Sequence, residues 1–171
     1  MSDHGVREAI EKLSSAISAD PAKARAKGVP ATARWSEGLK CEVTGPRGER
    51  VNTDMPPPMG GAGSAPNPGW YLRGAIASCT ATVIAMRAAK LGIALETLEV
   101  TVESDADHRG LLGLDDNVPA GQSAVRMKVK IGGKADAQKL RELVAWAEAH
   151  SPVGCTLKDS PDCSLDIEVI G

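Results

Sequence analysis

Two of the chain's four cysteines stand where a thiol can do chemistry. Cys79 lies within Asn67-Pro68-Gly69-Trp70-Tyr71-Leu72-Arg73-Gly74-Ala75-Ile76-Ala77-Ser78-Cys79, a stretch that opens with an N-cap residue and Pro at the first helical position. Cys155 follows His150-Ser151-Pro152-Val153-Gly154, a second Pro-marked helix start. One thiol at a helix centre and another near a helix start are the elements of dithiol redox chemistry. The same pattern permits two inert cysteines, because free Cys is among the most buried residue types. A reactive thiol needs a nearby cation or a helix N-terminus. Mid-helix Cys79 has no help from its helix start, so its activation has to come from an arginine brought in by the fold, and Arg73 and Arg87 share a neighbouring face.

The other chemistry-bearing residues form no constellation. Cys41 alternates inward on a strand and reads as core, and Cys163 sits at the entrance to a last strand. No CxxC pair occurs, and the irregular spacing fits neither a zinc site nor a disulfide framework. His108 and His150 have no ligand-like spacing, so no metal and no cofactor is expected. Gly60, Gly61 and Gly63 precede a helix but lack the Lys-Ser/Thr pair of a phosphate loop.

The chain has 171 residues, 42% hydrophobic and 25% charged, with a net charge of −2. That is the size and composition of one globular domain. The mixed charge argues against nucleic acid or an anionic membrane as partner. The absence of Phe, with one Tyr and three Trp, leaves a core of aliphatic side chains and no stacking platform for single strands. No apolar run reaches membrane-spanning length and no leader pattern opens the chain, so the expected location is the cytoplasm.

The elements that must position the thiols follow from periodicity. Val6, Ile10, Leu13 and Ile17 predict an amphipathic helix over residues 6–17, ended by Asp20-Pro21 and followed by a polar connector. Alternation over residues 32–35, 39–43 and 49–53, with turns near Glu37-Gly38 and at Gly45-Pro46-Arg47-Gly48, predicts an antiparallel meander. Residues 55–66, rich in Pro and Gly, form a long loop leading to the Cys79 helix, which runs to a stop at Gly92. On that helix Leu72, Ala75/Ile76, Cys79, Thr82/Val83 and Met86 make one apolar stripe predicted to be buried. Leu98, Val100 and Val102 alternate with Glu99, Thr101 and Glu103. Val125, Met127, Val129 and Ile131 alternate with Arg126, Lys128 and Lys130. The two strands pair acid against base. A helix capped by Asp136 and a closing strand over residues 165–169 complete an α+β order.

The stretch from Pro68 to Cys79, preceded by Met59-Gly60-Gly61 and followed by paired strands, a helix and Ser151-Pro152-Val153, resembles the OsmC/Ohr family. The likeness spans residues 31–171, a single OsmC-like domain, with residues 1–28 (helix and connector) outside it. The resemblance implies antiparallel sheets wrapped around a long central helix in an intertwined homodimer. It also implies reduction of organic hydroperoxides by a cysteine pair, in oxidative stress defence, with an external dithiol as reductant. Cys79 falls at the position of the peroxidatic cysteine. The family's second cysteine falls at Ser151, and Cys155, one helical turn on, is the candidate resolving thiol. A carboxylate common in the family falls at Gly69, and Arg34 is merely near the position of its arginine. Two readings follow: a thiol-dependent peroxidase with Cys79 and Cys155 as catalytic residues, or a non-catalytic OsmC-fold dimer that binds or supports and keeps its thiol as packing.

Overall fold

The computed structural model describes residues 3–171. Helix α1 (Asp3–Ala19) packs against a long central helix, α2 (Pro68–Leu91). Strands β1 (Thr32–Trp35), β2 (Cys41–Thr44) and β3 (Arg50–Thr53) form the expected meander, in spatial order β1-β2-β3 and antiparallel throughout. This sheet is little covered: β1 is exposed along its whole length, and of β3 only Thr53 is buried.

The long strands β4 (Leu95–Ala106) and β5 (Gln122–Gly133) pair antiparallel. Their outer faces set Glu99 opposite Lys130 and Glu103 opposite Arg126, the charge pairing read from the sequence. Their inner residues Leu98, Val100, Val129 and Ile131 pack on the core. The connection between them carries a short helix, α3 (His108–Leu111). Helix α4 (Ala137–Ala149) is capped by the Asp136 side chain, which accepts from Lys139 N at 2.8 Å, and α5 (Pro152–Lys158) follows.

The core is the seam between α2 and α4, closed by the β4–β5 ribbon: Ile84, Ala88, Ile93, Leu140, Leu143 and Ala147. The stripe that α2 buries differs from the expected one. Ile76, Thr80, Ile84 and Ala88, spaced by four, face inward, whereas Ala75, Ser78, Thr82 and Met86 do not. The reason is composition. The helix is Ala-rich and apolar on several faces, so periodicity leaves its rotation open and packing against β4, α1, α4 and α5 sets it.

The closing strand is also absent as a strand within one chain. After α5, residues 159–171 carry no helix or strand, and Leu165 is 84% and Val169 87% exposed. A strand needs a ladder partner for its backbone groups, and these residues pair with neither sheet of the chain. Among the described residues no helix is long and apolar enough to cross a membrane, and no His/Cys/Asp/Glu group has metal-binding geometry.

Candidate active site

The helix that carries Cys79 is fixed at both ends. The Asn67 side chain accepts from Trp70 N at 2.9 Å, Pro68 starts the first turn, and Gly92, with φ +69°, closes the last, a conformation that only Gly adopts without strain. The Tyr71 hydroxyl donates to the Asn52 carbonyl at 3.0 Å and ties the helix start to β3.

The preceding loop is organised by Asp54, a residue the motif search missed. This carboxylate is 1% exposed and accepts from Met55 N, Ala62 N, Ser64 N and the Ser64 hydroxyl, at 2.8–3.1 Å. The Ser64 backbone bond leads the interactions that hold its carboxyl below the ordinary carboxylate range. Gly61 fits because a Cβ there would lie 1.8 Å from the Met55 carbonyl oxygen. The available signal was an acid at the mouth of a Pro/Gly loop with a serine ten residues on.

Cys79 is half-buried near the middle of α2, and its sulfur is met by one side chain from across the fold. Ser151 Oγ donates to Cys79 Sγ at 3.3 Å. Ser151 is the N-cap of α5, 1% exposed, and its oxygen accepts from Gly154 N at 3.4 Å and from Thr80 Oγ1 at 3.4 Å. Thr80 is fully buried one residue beyond Cys79. The result is a directed chain, Thr80 O–H to Ser151 O–H to the Cys79 sulfur, inside an otherwise aliphatic layer. Buried hydroxyls persist in such a layer only when they are hydrogen-bonded.

The other expected partners are engaged elsewhere. Arg73 donates to Ser104 Oγ at 3.2 Å, and the Arg87 guanidinium lies 4.4 Å above the Trp146 ring. Arg34 Nη1 donates to Thr44 Oγ1 at 3.1 Å on the outer sheet. Cys155 is half-buried on α5, and its thiol donates to the Ala149 carbonyl at 3.4 Å. All four thiols are free; Cys41 is half-buried rather than core, and Cys163 is exposed. The helix cap at Ser151 was legible from the residues; its nearness to Cys79 was implied only by the family resemblance. Thr80 could have been found from the spacing of Ile76-Thr80-Ile84-Ala88, a single inward row on α2.

Beside the hydroxyl chain lies a cavity of 510 Å³. Ile76, Val125, Met127 and Leu157 form its walls, Thr80 and Ser151 lie at its polar edge, and Glu148 and Lys158, which are ion-paired, stand at its border. Hydrogen bonding to Glu148 raises the Lys158 amine above its ordinary range. A second cavity, of 460 Å³, flanks the start of α2 and is lined by Met55, Met59, Gly69, Arg73 and His108. Gly69, where a Cβ would lie 3.7 Å from Arg73 Nη1, presents no acid to Arg73.

Comparison with known proteins is decisive for the family. The profile of the family described as "OsmC-like protein" matches residues 61–166. The chain belongs to the OsmC-like family. An OsmC-like protein from Mycoplasma pneumoniae is similar in fold, with a TM-score of 0.68 at 14% identity over 80% of this chain and 91% of that one. An organic hydroperoxide resistance protein from Elizabethkingia anophelis aligns with a TM-score of 0.64 at 17% identity, over 80% and 91% of the two chains. An organic hydroperoxide resistance protein OsmC from Legionella pneumophila aligns at 0.59 and 20% identity, over 79% and 92%. At these identities the structural likeness establishes the OsmC fold. A search among curated proteins gave no significant match.

Proposed function

We propose that this OsmC-like protein is a thiol-dependent peroxidase that reduces organic hydroperoxides, with Cys79 as the nucleophile. The observation that carries the reading is the half-buried Cys79 sulfur, which accepts a hydrogen bond from the buried Ser151 hydroxyl; Ser151 and Thr80, though not Cys79 itself, border a largely apolar cavity. The thiolate attacks the terminal peroxide oxygen, the O–O bond breaks, and the alkoxide leaves and takes a proton. Cys79 becomes a sulfenic acid, which external dithiol reduces. Aliphatic walls suit an alkyl substituent better than they suit hydrogen peroxide. The setting is oxidative stress defence in the cytoplasm.

The functional unit in this reading is a homodimer. Among the described residues only eight apolar side chains are buried, a small core for a domain of this length. The face of α2 with Ala75, Ser78, Thr82 and Met86 is uncovered, the meander is open, and the alternating segment Leu165-Asp166-Ile167-Glu168-Val169 has no ladder partner. A second copy covers all three at once, with the closing strand forming only between chains.

The test is dithiol-dependent consumption of a bulky alkyl hydroperoxide, such as cumene hydroperoxide, by the wild type and by Cys79→Ser. Turnover by the wild type and its loss in the variant are expected. Equal consumption by both proteins, or none by either, overturns the proposal and leaves Cys79 as packing.

A further inference from the structure

We propose that Cys79 works as a single redox cysteine: Ser151 fills the place from which an in-chain thiol would resolve it, so that its sulfenic acid is held by the Ser151 hydroxyl and is resolved by a small external thiol. This rests on the peroxidase reading above. The argument is one of occupancy. A resolving thiol must reach the oxidised sulfur and form an S–S bond of about 2 Å. The side chain that meets Cys79 Sγ, at 3.3 Å, ends in a hydroxyl, which forms no such bond.

Within one chain the remaining thiols stand on other elements, none bonded to Cys79. Cys155 lies one turn further along α5, with its backbone N–H on the Ser151 carbonyl and its thiol turned to the Ala149 carbonyl at the end of α4. Cys41 belongs to the outer sheet, and the Cys163 thiol contacts the Pro161 carbonyl in the exposed tail. To reach Cys79, the Cys155 thiol would have to leave the Ala149 carbonyl, while Ser151, which caps α5 and accepts from the buried Thr80 hydroxyl, already meets the sulfur.

The Ser151 hydroxyl also suits the oxidised form. Its proton is directed at the sulfur by the two donors behind it, Thr80 Oγ1 and Gly154 N. After oxidation the same proton is positioned for the sulfenic oxygen or sulfur. Ser151 is thus a positioning residue, and it borders a cavity walled by Ile76, Val125, Met127 and Leu157.

The steps balance. Cys79 thiolate, ROOH and a proton give Cys79–SOH and ROH, with sulfur oxidised by two electrons and the peroxide reduced. A first thiol R′SH attacks the sulfenic sulfur, forming Cys79–S–SR′ and releasing water. A second R′SH attacks the mixed disulfide, giving R′S–SR′ and restoring the Cys79 thiol.

The experiment is peptide mapping after one equivalent of cumene hydroperoxide, on the wild type and on S151C, with a dimedone-type probe or 2-mercaptoethanol added second. In the wild type, Cys79 should take the probe or form a mixed disulfide with 2-mercaptoethanol. In S151C, Cys79 should be found joined to the introduced thiol, with probe labelling lost. Turnover with 2-mercaptoethanol relative to dithiothreitol should then fall by at least about tenfold, because an internal disulfide is reduced far more readily by a dithiol. A helix cap alone would leave that ratio unmoved. A Cys79–Cys155 disulfide in the wild type overturns the proposal while leaving the peroxidase reading intact, and this arm stands even if S151C fails to fold. A folded S151C whose Cys79 oxidises without cross-linking also overturns it. No oxidation of wild-type Cys79 removes the peroxidase reading itself, and this proposal with it.

Discussion

Replacing Ser151 with Ala probes the buried hydroxyl chain, and its cost is worked from two contacts. The substitution removes an N-cap, worth about 1 kcal/mol. It also leaves the Thr80 hydroxyl, fully buried, without its acceptor, a desolvation cost of about 1–3 kcal/mol. The Thr80–Ser151 and Gly154–Ser151 separations are both 3.4 Å, long for a hydrogen bond, which places the sum near the lower end, at about 2–3 kcal/mol. Thr80→Val is the informative contrast. It removes the donor in nearly the same volume, while Ser151 keeps Gly154 N as donor and Cys79 Sγ as acceptor, so its cost should stay below about 1 kcal/mol. In the double variant no hydroxyl is orphaned, and the two losses should fall short of additivity by about 1 kcal/mol. Urea unfolding at one fixed protomer concentration reads all four corners of the cycle, since association shifts apparent stability. Additivity within about 0.3–0.5 kcal/mol, or a Thr80→Val loss equal to that of Ser151→Ala, would refute the directed chain.

Ile84→Ala, at a fully buried site on α2, should cost about 2–5 kcal/mol in the same assay, whereas Met86→Ala, at a 41% exposed site on that helix, should cost little in the monomer and weaken self-association, read by light scattering. Deleting residues 160–171 should leave the helical circular dichroism of the monomer and shift a dimer toward monomer; an unchanged oligomeric state would count against the exchanged strand. Stability should fall with acid. The Arg109 side chain, foremost, holds the Asp107 carboxyl down to about 2, from an ordinary value of 3.8, and the Arg126 side chain lowers that of Asp105. A carboxylate whose folded pKa is depressed contributes stability that is complete above its unfolded value and disappears as pH falls through the folded one. The melting temperature should therefore begin to drop below about pH 4, and Arg109→Ala should flatten that part of the profile.

The parts of this fold that were legible in the sequence are those in which local chemistry and tertiary packing agree. The β4–β5 pairing was written as strict alternation with acids on one strand and bases on the other, and the structure sets Glu99 against Lys130 and Glu103 against Arg126. The caps of α2, Asn67-Pro68 and Gly92, act within a few residues and need no partner to be recognised. The rotation of α2 was not legible. With Ala, Ile, Leu and Met on several faces, the helix offers a choice of inward stripes, and what decides among them is the shape of β4 and α4. The closing strand was legible only as an alternating pattern; in the structure residues 165–169 form no strand and pair with neither sheet.

The candidate site was legible in the same unequal way. Cys79 announces itself because thiols are few and its helix carries a strong motif. A hydroxyl such as Ser151 reads first as a helix cap, which it is, and nothing in the residues 151–155 says that the same oxygen also meets a sulfur 72 positions away. Sequence reasoning therefore sought the second redox group among the cysteines and found Cys155. Geometry weighs the two differently. The side chain in contact with Cys79 is the serine, and the cysteine one turn beyond it is turned toward a backbone carbonyl. If the chemistry follows the contacts, S151C, which puts a sulfur where the serine oxygen meets Cys79, changes how the oxidised cysteine is resolved, and an enzyme that depended on Cys155 would already form its disulfide in the wild type.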